Sequence, residues 1–375
     1  NGLVEGVALP GEEQRADTEE PGKQAPAAPP LVHSPLVYFG AALLLLVVVI
    51  GAFSITRLVN GQPETQPAAN PPQPTASPRW QSLAGMPTAR YGLALASYED
   101  NIYAIAGSGV EGVVNVVERF QPASNQWQQL QSKPTAVSDV RAAVIGGRIF
   151  VPGGRLPSGE VTDILEIFDP RQDTWQQGAA LPTALSAYAL AAFEGKLYLF
   201  GGWDGERYRD LVYEYDPEQD RWSQKSRMPT GRGFASAVVA GGKIFVLGGR
   251  DQDGALTANE VYLPERDSTG DNPWDAAAPL PEGRYAMGAT GVADIIYVIG
   301  GEGAPGVELP SLAYFTQSDE WQFFEAPSLR LGSGLGLVSH GPYLYALGGE
   351  TDQIPSANNL AYQAIYTISI PVIVK

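Results

Sequence analysis

Arginine recurs at matching places along this chain. Segments 86–90, 228–232 and 280–284 read MPTAR, MPTGR and LPEGR, ending on Arg90, Arg232 and Arg284, and Arg330 closes a related stretch. Val137 and Leu185 hold the corresponding places in two further copies. A guanidinium is a rigid fork of donors that matches carboxylates and other anions, so arginines brought together make an anion-binding surface. The competing reading is ion pairing with acidic neighbours, which are plentiful here. A second group, Arg155, Trp203, Asp204, Arg207 and Arg250, lies in polar loops that follow Gly-Gly pairs. Trp203 and Asp204 stand in GGWDGERY, an aromatic beside a carboxylate, which suits stacking on a sugar ring or gripping a protein. Packing on the adjacent loop, with Tyr208 as companion, is the alternative.

Other chemistries lack their residues. There are two histidines, His33 and His340, and the second falls at a turn where a solvated or turn-satisfied ring is the simpler reading. No Ser/His/Asp set, metal-ligand spacing or phosphate loop stands out, so no metal and no cofactor is expected. The absence of cysteine removes disulfides, thiolate metal sites and cysteine nucleophiles together. A net charge of -17 repels phosphate backbones and argues against nucleic acid as a partner. With 43 glycines and 31 prolines in 375 residues, turn-formers are too frequent for a helical protein, which favours an all-β class.

Three kinds of segment follow one another. Residues 1–35 carry six acidic and two basic side chains and few aromatics, the composition of a disordered acidic tail. The run LVYFGAALLLLVVVIGAFSI at 36–55 has no charge, and at 1.5 Å per residue it spans about 30 Å of hydrocarbon. It predicts a single transmembrane helix over 36–57, with Tyr38 and Arg57 at its two interfaces. Residues 58–79 are rich in Pro and Ala and read as an extended stalk. Too few basic residues flank the span to orient it. The stalk favours a head on the extracytoplasmic side of the cell membrane.

From residue 80 onward the chain repeats. Tryptophans at 80, 127, 175, 222, 274 and 321 run in phase with small pairs at 106–107, 153–154, 201–202, 248–249, 300–301 and 348–349. Each pair ends an apolar run such as IYAIAG, IFVPGG or LYALGG, which reads as a buried strand. Self-similarity at about 47 residues with four strands per unit is the signature of propeller blades, since one small sheet cannot bury both its faces alone. The last unit supplies three strands and no Trp, so the strand around Trp80 is expected to complete it and close the ring over 80–375. Antiparallel strands a to d then put the b-to-c and d-to-a loops on one face, with Arg155, Trp203, Arg250, Glu302 and Glu350 among their residues.

The Gly pair, the run Tyr215, Asp216, Pro217 and the spaced Trp together resemble the kelch repeat. Local departures are Ala106 for a Gly, Gln121-Pro122 for Asp-Pro, and a five-residue insertion around 267–273. The resemblance implies a six-bladed kelch β-propeller preceded by a single transmembrane α-helix. It also implies that Arg90, Arg232, Arg284 and Arg330 lie near the pore mouth. Copper oxidases resembling galactose oxidase need a Cys joined to Tyr, which this chain lacks. Three expectations remain: a protein- or carbohydrate-binding module or accessory subunit, a sugar-acid epimerase, and the sensor head of a receptor whose effector lies upstream of Asn1.

Overall fold

The structure, a computed structural model, describes residues 79–307, 309–329 and 331–365. The expected tail (1–35), membrane helix (36–57) and stalk up to residue 78 lie outside them, as does Arg330. Among the described residues no helix is long and apolar enough to cross a membrane.

Six antiparallel sheets form six blades. Blade one holds strands a to d at Ala94–Tyr98, Asn101–Gly109, Gly112–Gln121 and Gln126–Gln129. In blades two to five the a strands are Ala143–Ile145, Ala189–Phe193, Ser236–Ala240 and Gly288–Val292. Strand b of each blade is apolar nearly throughout, as at Leu197–Phe200, because both its faces are covered by neighbouring sheets. The a-to-b turns at Gly146-Gly147 and Gly241-Gly242 run through positive φ, the geometry that lets a two-residue turn follow the strand twist. The five-residue insertion folds as a short helix, Pro264–Thr269, in the c-to-d turn of blade four.

Trp80–Ser82 pairs with Asn359–Gln363 as the outermost strand of blade six, so the ring is closed by its N-terminal strand. The repeat tryptophans explain how blades are joined. Each lies against an aromatic of its own strand c, with centroids 4.8–5.0 Å apart, from Phe120–Trp127 round to Trp80–Tyr362. Each indole N–H also donates to a carbonyl at the exit of the preceding blade, as Trp127 to Ala84 at 2.7 Å and Trp80 to Glu325 at 2.7 Å. The other four repeat the bond, from Trp175, Trp222, Trp274 and Trp321. At the same joints an Asn or Asp of the c-to-d turn accepts a backbone N–H of the previous blade, such as Asn125 from Ala84 and Asp220 from Ala179.

The inner joints use backbone. The second Gly of each pair donates to a d-to-a carbonyl of the next blade, as Gly154 to Leu185 at 2.8 Å and Gly202 to Arg232 at 2.9 Å. A Cβ on Gly153 would lie 2.3 Å from that same Leu185 oxygen, which is why a side chain is excluded there. These bonds also correct the register of the arginine set. In blade six the accepting residue, equivalent to Arg90, is Gly332 rather than Arg330. The related stretch in blade six is displaced by two residues, so matching arginine to arginine misplaces it.

Two residues beyond each accepting position lies a ring of six left-handed residues: Gly92, Asp139, Ala187, Phe234, Ala286 and Gly334, with φ from 52° to 64°. Their backbones link blade to blade. Gly92 N–H reaches Gly334 O, Gly334 reaches Ala286, Ala286 reaches Phe234, Phe234 reaches Ala187 and Ala187 reaches Asp139. Val140 N–H completes the circle on Gly92 O at 3.3 Å. Left-handed φ at a non-glycine costs on the order of 1 kcal/mol or more, and it persists here because the circle of bonds dictates it.

Candidate functional site

The left-handed ring forms the floor of a cavity of about 300 Å³ on the face of the b-to-c and d-to-a loops. Above each ring residue, the preceding residue pairs with the one that follows the Gly pair of its own blade. The bridges are Tyr91 with Ser108, Ser138 with Arg155, Ser186 with Trp203, Gly233 with Arg250 and Tyr285 with Glu302. In blade six Ser333 pairs with Glu350. The repeat therefore fixes six backbone positions around the mouth and leaves their side chains free to differ.

Those side chains carry both signs of charge. Blade two contributes Asp139, Arg141 and Arg155, blade four Arg250, and blades five and six Glu302 and Glu350. Ser333 donates to Glu302 Oε1 at 2.7 Å and lies 3.3 Å from Glu350 Oε1, while the Tyr285 hydroxyl donates to Glu302 Oε2. Burial pushes the Glu350 carboxyl up, and the charges of Glu302 and Asp139 add to the rise. Tyr285 is pushed up to about 12 by burial and by its bond to Glu302. The Arg250 guanidinium lies over the Tyr285 ring at 4.8 Å and near Tyr208 at 5.9 Å, and its buried Nε has no hydrogen-bond partner among the described residues. Burial raises the Asp139 carboxyl, and Arg155 and Arg141 pull it back.

Arg141 occupies the neck, lining both this cavity and the channel of about 440 Å³ below it. Its side chain makes one hydrogen bond among the described residues, to Val140 O at 3.4 Å. The same position in the other blades is held by Ala94, Ala189, Ser236, Gly288 and Gly336, all small. Tyr188 stands beside it, its hydroxyl accepting the Arg141 N–H and donating to Pro152 O.

Of the residues expected at the site, Arg155 and Arg250 line the mouth cavity. Arg90, Arg232 and Arg284 do not gather there: all three are fully buried inside their own blades. Arg90 bonds Glu118 at 2.5 Å and the carbonyls of Thr88 and Ala104. Arg232 repeats the set with Glu260 at 2.6 Å, Thr230 and Val246. Arg284 donates to Pro310 O, and burial draws its pKa down to about 10. These guanidiniums hold d-to-a loops against strand c and are closed to a ligand.

Trp203 packs edge-on against Tyr208 at 4.9 Å. Asp204 caps its own turn by accepting the N–H groups of Glu206 and Arg207, and it pairs with Arg209 at 3.1 Å. Arg207 is exposed beside them. His340 ends strand a of blade six, and its Nδ1 lies 3.0 Å from Ser97 Oγ on strand a of blade one, so its partner is the neighbouring blade rather than its own turn. Sequence reasoning missed Asp139, Arg141, Tyr285 and Ser333. Aligning the six units at the position of Arg141, where one long cation stands among Ala, Ser and Gly, carries the signal.

Comparison with known proteins agrees with this architecture. The Kelch motif matches residues 89–134 and 136–182, and the KLHDC2/KLHL20/DRC7 Kelch-repeats domain matches residues 187–370. The chain is a kelch-repeat, six-bladed β-propeller. It is 31% identical to Kelch-like protein 35 of Homo sapiens over 84 residues, 22% of this chain and 14% of that protein's length. The solved structure of YjhT superposes with a TM-score of 0.64 at 18% identity, covering 75% of this chain and 96% of the other, a likeness of fold. A kelch propeller suits a protein-binding or scaffold role.

Proposed function

We propose that the chain is a membrane-tethered binding module whose kelch head takes a protein partner on the mouth face. The observation that carries this is the mouth cavity itself. Arg141, Arg155 and Arg250 share it with Glu302 and Glu350, and among the described residues no ion pair joins these groups. Charges held in a concave site without neutralising one another serve stability poorly and serve recognition well. The uncharged stretch 36–55 and the Pro-rich stretch after it support tethering, with the head on the outer side of the membrane.

Limited proteolysis of intact cells, followed by capture of the partner on the full chain, tests both parts. The head is expected to be cut without lysis, and capture is expected to fall at least tenfold in Arg250→Ala. A head cut only after lysis contradicts the orientation. Capture unchanged in Arg250→Ala contradicts the mouth. Turnover of a sialic-acid-like substrate, lost in Arg155→Ala, would instead make the same cavity an active site.

A further inference from the structure

The cations of the mouth lie on blades two and four, with the Asp139 carboxylate beside Arg141 and Arg155, and the acidic excess lies on blades five and six. Arg141 and Arg155 belong to blade two, Glu302 to blade five and Glu350 to blade six. In a closed ring of six, blades two and five stand three places apart, on opposite sides of the axis. Resting on the binding reading above, we propose that the mouth receives a dipolar ligand. An anionic group of the partner seats on Arg141 and Arg155, and a cationic group seats between Glu302 and Glu350.

Each end is chemically open. On the acidic side one Ser333 hydroxyl serves both carboxylates, and a single hydroxyl has one proton to give. Among the described residues no other side chain donates to the Glu350 carboxyl, and its charge acts on that of Glu302, so an ammonium or guanidinium placed there gains from both. On the basic side Arg141 keeps a guanidinium in the neck with one carbonyl beside it at 3.4 Å. Five sister positions manage with Ala, Ser or Gly, so the ring does not require bulk there. A half-buried arginine with unused donors in such a place is a receptor for a carboxylate or another planar anion. Beside Glu302 the Tyr285 ring, with Arg250 over one face, lines the same cavity and offers aromatic surface to the apolar part that joins the ligand's charges. The left-handed ring below stops the ligand from sliding into the channel. A cavity of about 300 Å³ fits one or two side chains rather than a domain surface.

Titration of the full chain with three probes tests this: 6-aminohexanoate, hexanoate and hexylamine, together with shorter and longer ω-amino acids. At least one ω-amino acid is expected to bind about tenfold more tightly than either single-charge probe. Arg141→Ala is expected to erase its advantage over hexylamine, and Glu350→Gln its advantage over hexanoate. Single-charge probes that bind as well as every ω-amino acid overturn the proposal, and so does weakening of all probes alike in both variants. The comparison on the unaltered chain stands even if a variant fails to fold. A protein partner lost in Arg250→Ala while no ω-amino acid is preferred would leave the binding reading intact and remove the dipolar one.

Discussion

A buried guanidinium is tolerated when a carboxylate stands beside it, and the blades solve this differently. Blades one and four use Arg90 with Glu118 and Arg232 with Glu260. Blade two has Val137 at the arginine position and Lys133 four residues earlier, where blade one has Met86, and Lys133 reaches Glu166 instead. Blade three is apolar at both places, Leu181 and Leu185, with Thr183 bonded to Tyr213. Blade five keeps Arg284 but has Leu312 in place of the glutamate; Nε has no partner among the described residues in all three arginines, and in Arg284 Nη2 has none either. Truncating one member of a buried pair strands the other, so Arg90→Met is expected to cost roughly 3–5 kcal/mol. Arg284 has no carboxylate hydrogen-bonded to it among the described residues, only the nearby charge of Glu282, so Arg284→Met is expected to cost less than Arg90→Met. Denaturant midpoints of the two variants check this, and equal losses would contradict it. The recurrence of these arginines was plain in the sequence, but their burial was not, because the partner lies 28 residues away on strand c and was not aligned with them.

Between blades the joints combine an indole N–H with an Asn or Asp of the c-to-d turn. The Tyr215 hydroxyl and then the Ala179 N–H hold the Asp220 carboxyl below its usual range, and Tyr314 and Ala278 do the same for Asp319. A depressed folded pKa gives stability that is fully present above the unfolded value, about 3.9, and is lost as pH falls through the folded value. The thermal midpoint should therefore decline on acidification below about pH 4. Asn125 already does this work in blade one with an amide. The double variant Asp220→Asn, Asp319→Asn is thus expected to fold, to melt lower than the parent at neutral pH and to converge with it in acid. Parallel curves at all pH values would show that these joints do not titrate. The tryptophan register was legible from spacing alone, since blade thickness fixes the period. The hydrogen bond each indole makes was not, because its acceptor belongs to another unit.

The whole ring repeats in backbone and differs in side chain. Blade number, strand order and closure by the Trp80 strand follow from periodicity, and the structure bears out each of them. The mouth does not follow from periodicity, because its chemistry arises where units depart from one another: Arg141 among small residues, and Arg155, Arg250, Glu302 and Glu350 at one shared position. Two of these, Arg155 and Arg250, were singled out from the sequence because they follow Gly pairs. Glu302 and Glu350 were named on the same loop face, whereas Arg141 needed the ring to bring it to them. The central claim is that this face, and not the opposite one, meets the partner. Photo-crosslinking in intact cells measures it most directly, with benzoylphenylalanine placed at Arg207 on the mouth face or at Glu218 on the c-to-d turn of the far face, both exposed. The account predicts one discrete adduct from position 207, lost when Arg250→Ala is added, and none from position 218. An adduct from 218 alone, or one from 207 that survives Arg250→Ala, would contradict it.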